Sequence, residues 1–72
     1  MTKEDFLAEL GGLVRASEPL TPDTCLYDLD GWDSGAMLEV ITLVDDNFDI
    51  ALGAPDFKAF ENVSDILTRI GL

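Results

Sequence analysis

Apolar residues recur at helical spacing in three separate stretches of this chain, and nowhere do they alternate as a half-buried strand requires. Phe6, Leu7, Leu10, Leu13 and Val14 form the first stripe. Met37, Val40, Ile41, Val44 and Phe48 form the second, and Val63, Ile66, Leu67 and Ile70 the third. Residues three and four apart share one face of an α-helix, so each stretch offers one apolar side for burial. With 72 residues in all, those sides have only each other to pack against. The expectation is an all-α chain with a single domain over residues 1–72. It reads as a small four-helix bundle with three main helices, a short third helix and a long loop between helices 1 and 2.

Local signals place the boundaries. Thr2 and Asp5 have capping-box spacing, with Asp in place of the usual Glu, and Lys3, Glu4 and Asp5 fill the opening turn. The first helix is expected to stop by Ser17, because Pro19 drives its predecessor out of helical angles. Gly11 and Gly12 lie inside it at a cost of roughly 1 kcal/mol each relative to Ala, and close packing by a neighbouring helix would explain them. Residues 17–32 read as a loop anchored to the core by Leu20, Leu26, Tyr27 and Leu29. A second helix begins at Asp33 or Ser34 with Asp33 as its cap, carries Glu39, Thr42 and Asp46 on its polar face, and frays between Asn47 and Asp49. Pro55, suited to a first helical position, introduces one or two turns over residues 56–60. Asn62 caps the last helix, with Asp65 three residues on, and Gly71 ends it.

Composition then narrows the function. The absence of histidine removes the usual general base and the commonest metal ligand. Cys25 is the only cysteine, so no internal disulfide and no thiolate metal cluster can form. It reads as a buried small apolar residue, and a lone thiol without a secretory leader fits a reducing cytoplasm. No paired catalytic arrangement or Gly-rich phosphate loop is present, so a non-enzyme is expected. Fifteen acidic residues against four basic ones give a net charge of −11, which repels nucleic acid and anionic membrane surfaces. The same field steers the chain toward basic patches on other proteins. A hydrophobic content of 47% argues against disorder despite that charge. No apolar run is long enough to span a bilayer.

The informative stretch is Asp28-Leu29-Asp30-Gly31-Trp32-Asp33-Ser34-Gly35-Ala36-Met37-Leu38-Glu39, a loop that ends at a helix start. A hydroxyl at such a junction stands beside unpaired backbone N–H groups and the positive end of the helix dipole. Ser34 is thus either a site suited to a phosphodiester or simply a first-turn residue. Asp28, Asp30, Ser34 and Glu39 also fall at positions 1, 3, 7 and 12 of an EF-hand loop. That pattern fails at Trp32, which offers no ligand, and at Asp33, where a Gly is needed.

Beyond this stretch the chain resembles the acyl carrier protein family, which includes the carrier domains of fatty acid, polyketide and nonribosomal peptide synthesis. Gly31-Trp32-Asp33-Ser34 is similar to the family's attachment motif, in which Ser follows Asp at the start of the second helix. Glu39, the run Asp45-Asp46-Asn47-Phe48, the pair Ile50 and Leu52, and Asn62-Val63 also resemble the family pattern, as do Leu26 and Leu29 upstream. The similarity spans essentially the whole chain, with the length and acidity of a free-standing carrier. It implies a 4′-phosphopantetheine arm on Ser34, donated by coenzyme A through a phosphopantetheinyl transferase, usually with Mg²⁺. It implies that acyl or related intermediates ride on that arm as thioesters, with no resident metal. Asp33 would assist modification or serve only as the cap. Leu38, Glu39, Asp45, Asp46 and Asp49 would dock basic patches of acyl-loading and acyl-processing enzymes, or act as a solubilising face. Trp32 would shield the base of the arm or pin the loop. The implied state is a monomer that neither inserts into membranes nor binds nucleic acid. One departure stands out: the family usually has Leu or another aliphatic residue directly after the modified Ser, and here it is Gly35. The alternative readings are an acidic adaptor, including a carrier relic that takes no arm, and the calcium protein sketched above.

Overall fold

Each of the three stripes is carried on a helix, and the ends of those helices are set by identifiable hydrogen bonds. The computed structural model describes all 72 residues. In chain order it contains α1 (Lys3–Leu13), a 3₁₀ turn at Leu26–Asp28, α2 (Ser34–Phe48), α3 (Ala54–Phe57) and α4 (Val63–Arg69). The chain is an all-α, four-helix fold with three main helices, a short third one and the long first loop. Its only strand-like feature is an isolated antiparallel bridge between Cys25 and Asn62. No helix is long and apolar enough to cross a membrane.

The α1 capping box forms as read. Thr2 Oγ1 accepts from the Asp5 N–H at 3.2 Å, and Asp5 Oδ2 accepts from the Thr2 N–H at 3.3 Å. At the other end α1 closes earlier than Pro19 requires, with Val14 as the cap. Arg15 adopts the left-handed conformation at φ 55°. The N–H groups of Arg15 and Ala16 turn back to the carbonyls of Gly12 and Gly11 at 3.3 and 2.9 Å. These are the paired bonds of a Schellman turn, with an arginine where glycine is usual.

The buried core is entirely apolar, so nothing polar inside demands a partner. Phe6, Leu10 and Val14 meet Val40 and Val44 of α2 and Val63, Ile66, Leu67 and Ile70 of the α4 segment. Leu7, Leu13, Met37, Ile41 and Phe48 are only half-buried and pack against this cluster. Phe48 still contributes an edge-on contact to Phe6, with centroids 6.1 Å apart.

The first loop corrects two expectations. Leu20 and Leu26 are buried and Leu29 is half-buried, but Tyr27 is 65% exposed. In a 3₁₀ turn successive side chains diverge by about a third of a turn, so burying Leu26 points Tyr27 outward. Cys25 is half-buried, not buried, and its backbone pairs with Asn62 in the isolated bridge. The loop is tied to the start of α4 by three backbone bonds: Leu26 N–H to the Glu61 carbonyl at 2.8 Å, Val63 N–H to Thr24 at 2.9 Å, and Ser64 N–H to Pro22 at 2.8 Å.

The last two helices are capped from within by aspartates at their third positions. Gly53 N–H donates to Asp56 Oδ2 at 2.8 Å, so α3 opens at Ala54 and Pro55 takes its second position instead of its first. Asn62 occupies the N-cap of α4 with extended backbone angles, as expected, although its own side chain makes no hydrogen bond there. Asp65 supplies the returning half of the box: its Oδ2 accepts from the N–H of Glu61 at 2.8 Å and of Asn62 at 2.9 Å. Gly71, at φ 84°, follows α4 as the sequence suggests.

The two backbone donors hold the Asp65 carboxyl below its ordinary value of 3.8, Asn62 contributing most and Glu61 next. A carboxyl with a depressed folded-state pKa stabilises the fold above its unfolded pKa and loses that contribution as pH falls through the folded value. Carboxyl-detected NMR titration is therefore expected to give Asp65 a midpoint below 3.8, and Asp65→Asn should weaken the acid dependence of stability. A midpoint at or above that value would contradict the cap.

Candidate functional site

The residues just before α2 are fastened to two different elements. Gly31 lies so close to the end of α1 that a Cβ there would sit 2.0 Å from the Val14 carbonyl oxygen. Only glycine permits that approach. Trp32 is half-buried and lies against Phe57 of α3, with centroids 5.8 Å apart, and Phe57 in turn meets Phe60 edge-on at 5.1 Å. Trp32 also donates its N–H to the Leu29 carbonyl at 3.1 Å. The tryptophan thus pins the loop, and its neighbour abuts the first helix.

The next residue turns the chain into the helix. Asp33 has extended backbone angles, and its Oδ1 accepts from the Ala36 N–H at 2.8 Å. Its carbonyl accepts from the Met37 N–H at 3.0 Å. Ser34 is the first residue of the 15-residue α2 and is exposed. Its hydroxyl takes no part in the side-chain hydrogen bonds of the protein, and the N–H groups of Ser34 and Gly35 precede the helical bonding pattern. A free hydroxyl, two unpaired N–H groups and the positive end of the longest helix therefore coincide.

Of the other serines, Ser17 lies in the loop, away from any helix start. Ser64 is near the start of α4 but half-buried, with its N–H given to Pro22.

The remaining candidate residues fall on two rows of α2. At about 100° per residue, Leu38 and Asp45 project within about 40° of Ser34. Glu39 and Asp46 project about 120–140° further round, on a second row. All four are exposed, and Leu38 is conspicuous at 63% exposure for an apolar side chain. The helix therefore does not gather the five residues into one patch. It aligns Ser34, Leu38 and Asp45 along one flank of its exposed face and Glu39 and Asp46 along the other, with the exposed Thr42 between them. Asp49 caps the far end in a left-handed conformation at φ 56°. Glu39 borders a shallow recess with Asp33, Gly35, Gly31 and the cap residues Val14 and Arg15. Gly35 is exposed, and a Cβ there would meet only Asp33 Oδ1, at 3.3 Å.

The supports Val14 and Phe57 went unread as site residues. The only sequence trace of the first is Gly31 itself, a glycine before an aromatic residue and a cap. Phe57 lies in the short segment 56–60, which the sequence marks only as one or two turns. The EF-hand pattern is not assembled: nowhere do three acidic side chains converge to hold a cation. No protein-family model, curated protein or solved structure matches this chain.

Two glycine substitutions test the clamp by their opposite signs. Gly31→Ala is expected to lower stability by about 2–3 kcal/mol, because the Val14 carbonyl has to move. Gly12→Ala, whose new methyl would meet nothing within 4 Å, is expected to raise it by about 0.5–1 kcal/mol. Urea denaturation of the two variants against the parent measures both, and a neutral Gly31→Ala would refute the close approach.

Proposed function

We propose that this chain is an acyl carrier protein, holding acyl or related intermediates as thioesters on a 4′-phosphopantetheine arm joined to Ser34. The observation that supports this most strongly is the exposed, unbonded Ser34 hydroxyl at the head of α2, on a junction braced from both sides. The surrounding residues fit such an arm. Ser34 Oγ would be the ester oxygen, and the N–H groups of Ser34 and Gly35 would face phosphate oxygens favoured by the helix dipole. With Oδ1 committed to the Ala36 N–H, Asp33 keeps Oδ2 available to orient a Mg²⁺ ion or the attacking hydroxyl during modification. When bound, the arm supplies a mobile thiol that keeps its cargo activated toward acyl transfer. The chain's own part is to hold the attachment point and to present it.

Presentation would use the exposed face of α2. Leu38, one turn from Ser34, offers an apolar contact, and Asp45 continues the same row. Glu39 and Asp46 flank it and would meet Lys and Arg on a phosphopantetheinyl transferase and on acyl-loading and acyl-processing enzymes. Exposed ion pairs contribute about 0–1 kcal/mol each, which suits a partner that binds, reacts and leaves. The acidic field would make those encounters fast and salt-sensitive.

One observation favours a second reading, that of an acidic carrier relic without an arm. Gly35 leaves the position after Ser34 bare, and the aliphatic contact expected of the family is missing. Incubation with coenzyme A and a broad-specificity transferase, followed by intact-mass measurement, separates the readings. A carrier gains one arm, and Ser34→Ala gains none. If the parent stays unmodified while Gly35→Leu is modified, the site is a carrier site that needs a dedicated transferase. If neither is modified, the relic reading prevails.

A further inference from the structure

The turn that leads into Trp32 holds a reactive pair. Residues 29–32 form a β-turn closed by the Trp32 N–H, which donates to the Leu29 carbonyl at 3.1 Å. Asp30 and Gly31 are its two central residues, and Asp30 is exposed. The Asp30 carboxylate takes no part in the side-chain hydrogen bonds of the protein, and the Gly31 N–H donates to no carbonyl. An aspartate side chain and the next amide nitrogen are spaced to close a five-membered imide. Glycine leaves that nitrogen without a side chain to shield it.

Every other aspartate is hindered. The carboxylates of Asp5, Asp33, Asp56 and Asp65 are held by backbone N–H groups. After Asp23 and Asp28, the N–H groups of Thr24 and Leu29 are given to the carbonyls of Thr21 and Leu26, both at 3.1 Å. Asp45 and Asp46 lie inside α2, where the following N–H belongs to the helical ladder. Asp49 precedes Ile50, whose branched side chain crowds its amide. Gly31 itself cannot give way to a bulkier residue, since a Cβ there would strike the Val14 carbonyl. The clamp that positions α2 therefore leaves its own turn chemically exposed.

We infer that Asp30–Gly31 is a site of spontaneous isoaspartate formation, and that the isomer opens the clamp. The Gly31 nitrogen bonds to Asp30 Cγ. One carboxylate oxygen leaves as water, taking the Gly31 amide proton and a proton from solvent. Water then adds back to the imide. Opening at Cγ restores aspartate. Opening at the Asp30 main-chain carbonyl routes the chain through the side chain, adds one backbone carbon and frees an α-carboxylate. The added carbon falls inside the turn, between the partners of the Trp32–Leu29 bond and beside the Val14 contact, so neither keeps its spacing. The chemistry consumes nothing but water, which it returns, and it is independent of the carrier reading.

The test is to age the folded protein at neutral pH beside Asp30→Glu and a capped peptide of residues 28–33, which serves as the clock. Electron-transfer tandem mass spectrometry of a digest locates isoaspartate, and an isoaspartyl carboxyl methyltransferase labels it independently. Isoaspartate is expected at Asp30 ahead of every other aspartate by the time the peptide has converted. Asp30→Glu, whose ring would need six members, should gain none at that position. The isomer, separated by chromatography, should unfold at a lower urea concentration than the parent, whereas fresh Asp30→Glu should match the parent because the side chain is exposed and unbonded. Conversion first at Asp33 or Asp49, an intact Asp30 once the peptide has converted, or an isomer as stable as the parent would overturn the inference.

Discussion

The contact of Gly31 with the Val14 carbonyl is the constraint on which the rest of this structure turns. It places the end of α1 against the start of the segment leading into α2, at the end of a loop whose middle is tied to α4 instead. Val14 is available there because the Schellman turn at Arg15 stops α1 and leaves Val14 buried as its last cap. On the other flank Trp32 rests on Phe57, so α3 braces the same short segment. Asp33 then has one remaining task, to start α2, and the consequence is that Ser34 emerges at a fixed place with its hydroxyl free.

Charge and burial are divided as cleanly as the chain permits. Every buried residue is apolar, so the interior needs no polar network to be satisfied. The acidic residues stay on the outside or serve as caps, where Asp5, Asp33, Asp56 and Asp65 each accept backbone N–H groups. That placement turns part of the negative charge to structural use, because carboxylates at helix starts oppose the local positive end of the dipole. Asp45 and Asp46, late in α2, have no such excuse in the fold. They are unfavourable neighbours for a helix C-terminus.

The helices were legible because apolar periodicity and cap residues are local signals. Thr2 with Asp5, and Asp33, cap as their residue types suggest. The misreadings arose where a tertiary contact or a backbone hydrogen bond decided the outcome. Cys25 is a small apolar residue by type, yet the structure leaves it only half-buried. Tyr27 was read as an anchor by its apolar ring, but the 3₁₀ turn that buries Leu26 turns it to solvent. The place of Ser34 at the head of α2 is legible from the cap residue before it. Its two braces were not found, because Val14 and Phe57 come from remote parts of the chain and look like any other core residue. Gly11 and Gly12 stand out within a helical pattern, but no neighbouring helix calls for them: a Cβ at Gly11 would meet only Leu20, and one at Gly12 nothing.

The central claim is that the fold sets one serine apart from the other two as the point of attachment. Its most direct test is to locate the adduct: proteolyse the chain after reaction with coenzyme A and a phosphopantetheinyl transferase, and sequence the modified peptide by tandem mass spectrometry. The account predicts that the added mass lies on Ser34 alone, with Ser17 and Ser64 unmodified even on prolonged reaction. An adduct on either of those, at a loop or at a half-buried helix start, would contradict it.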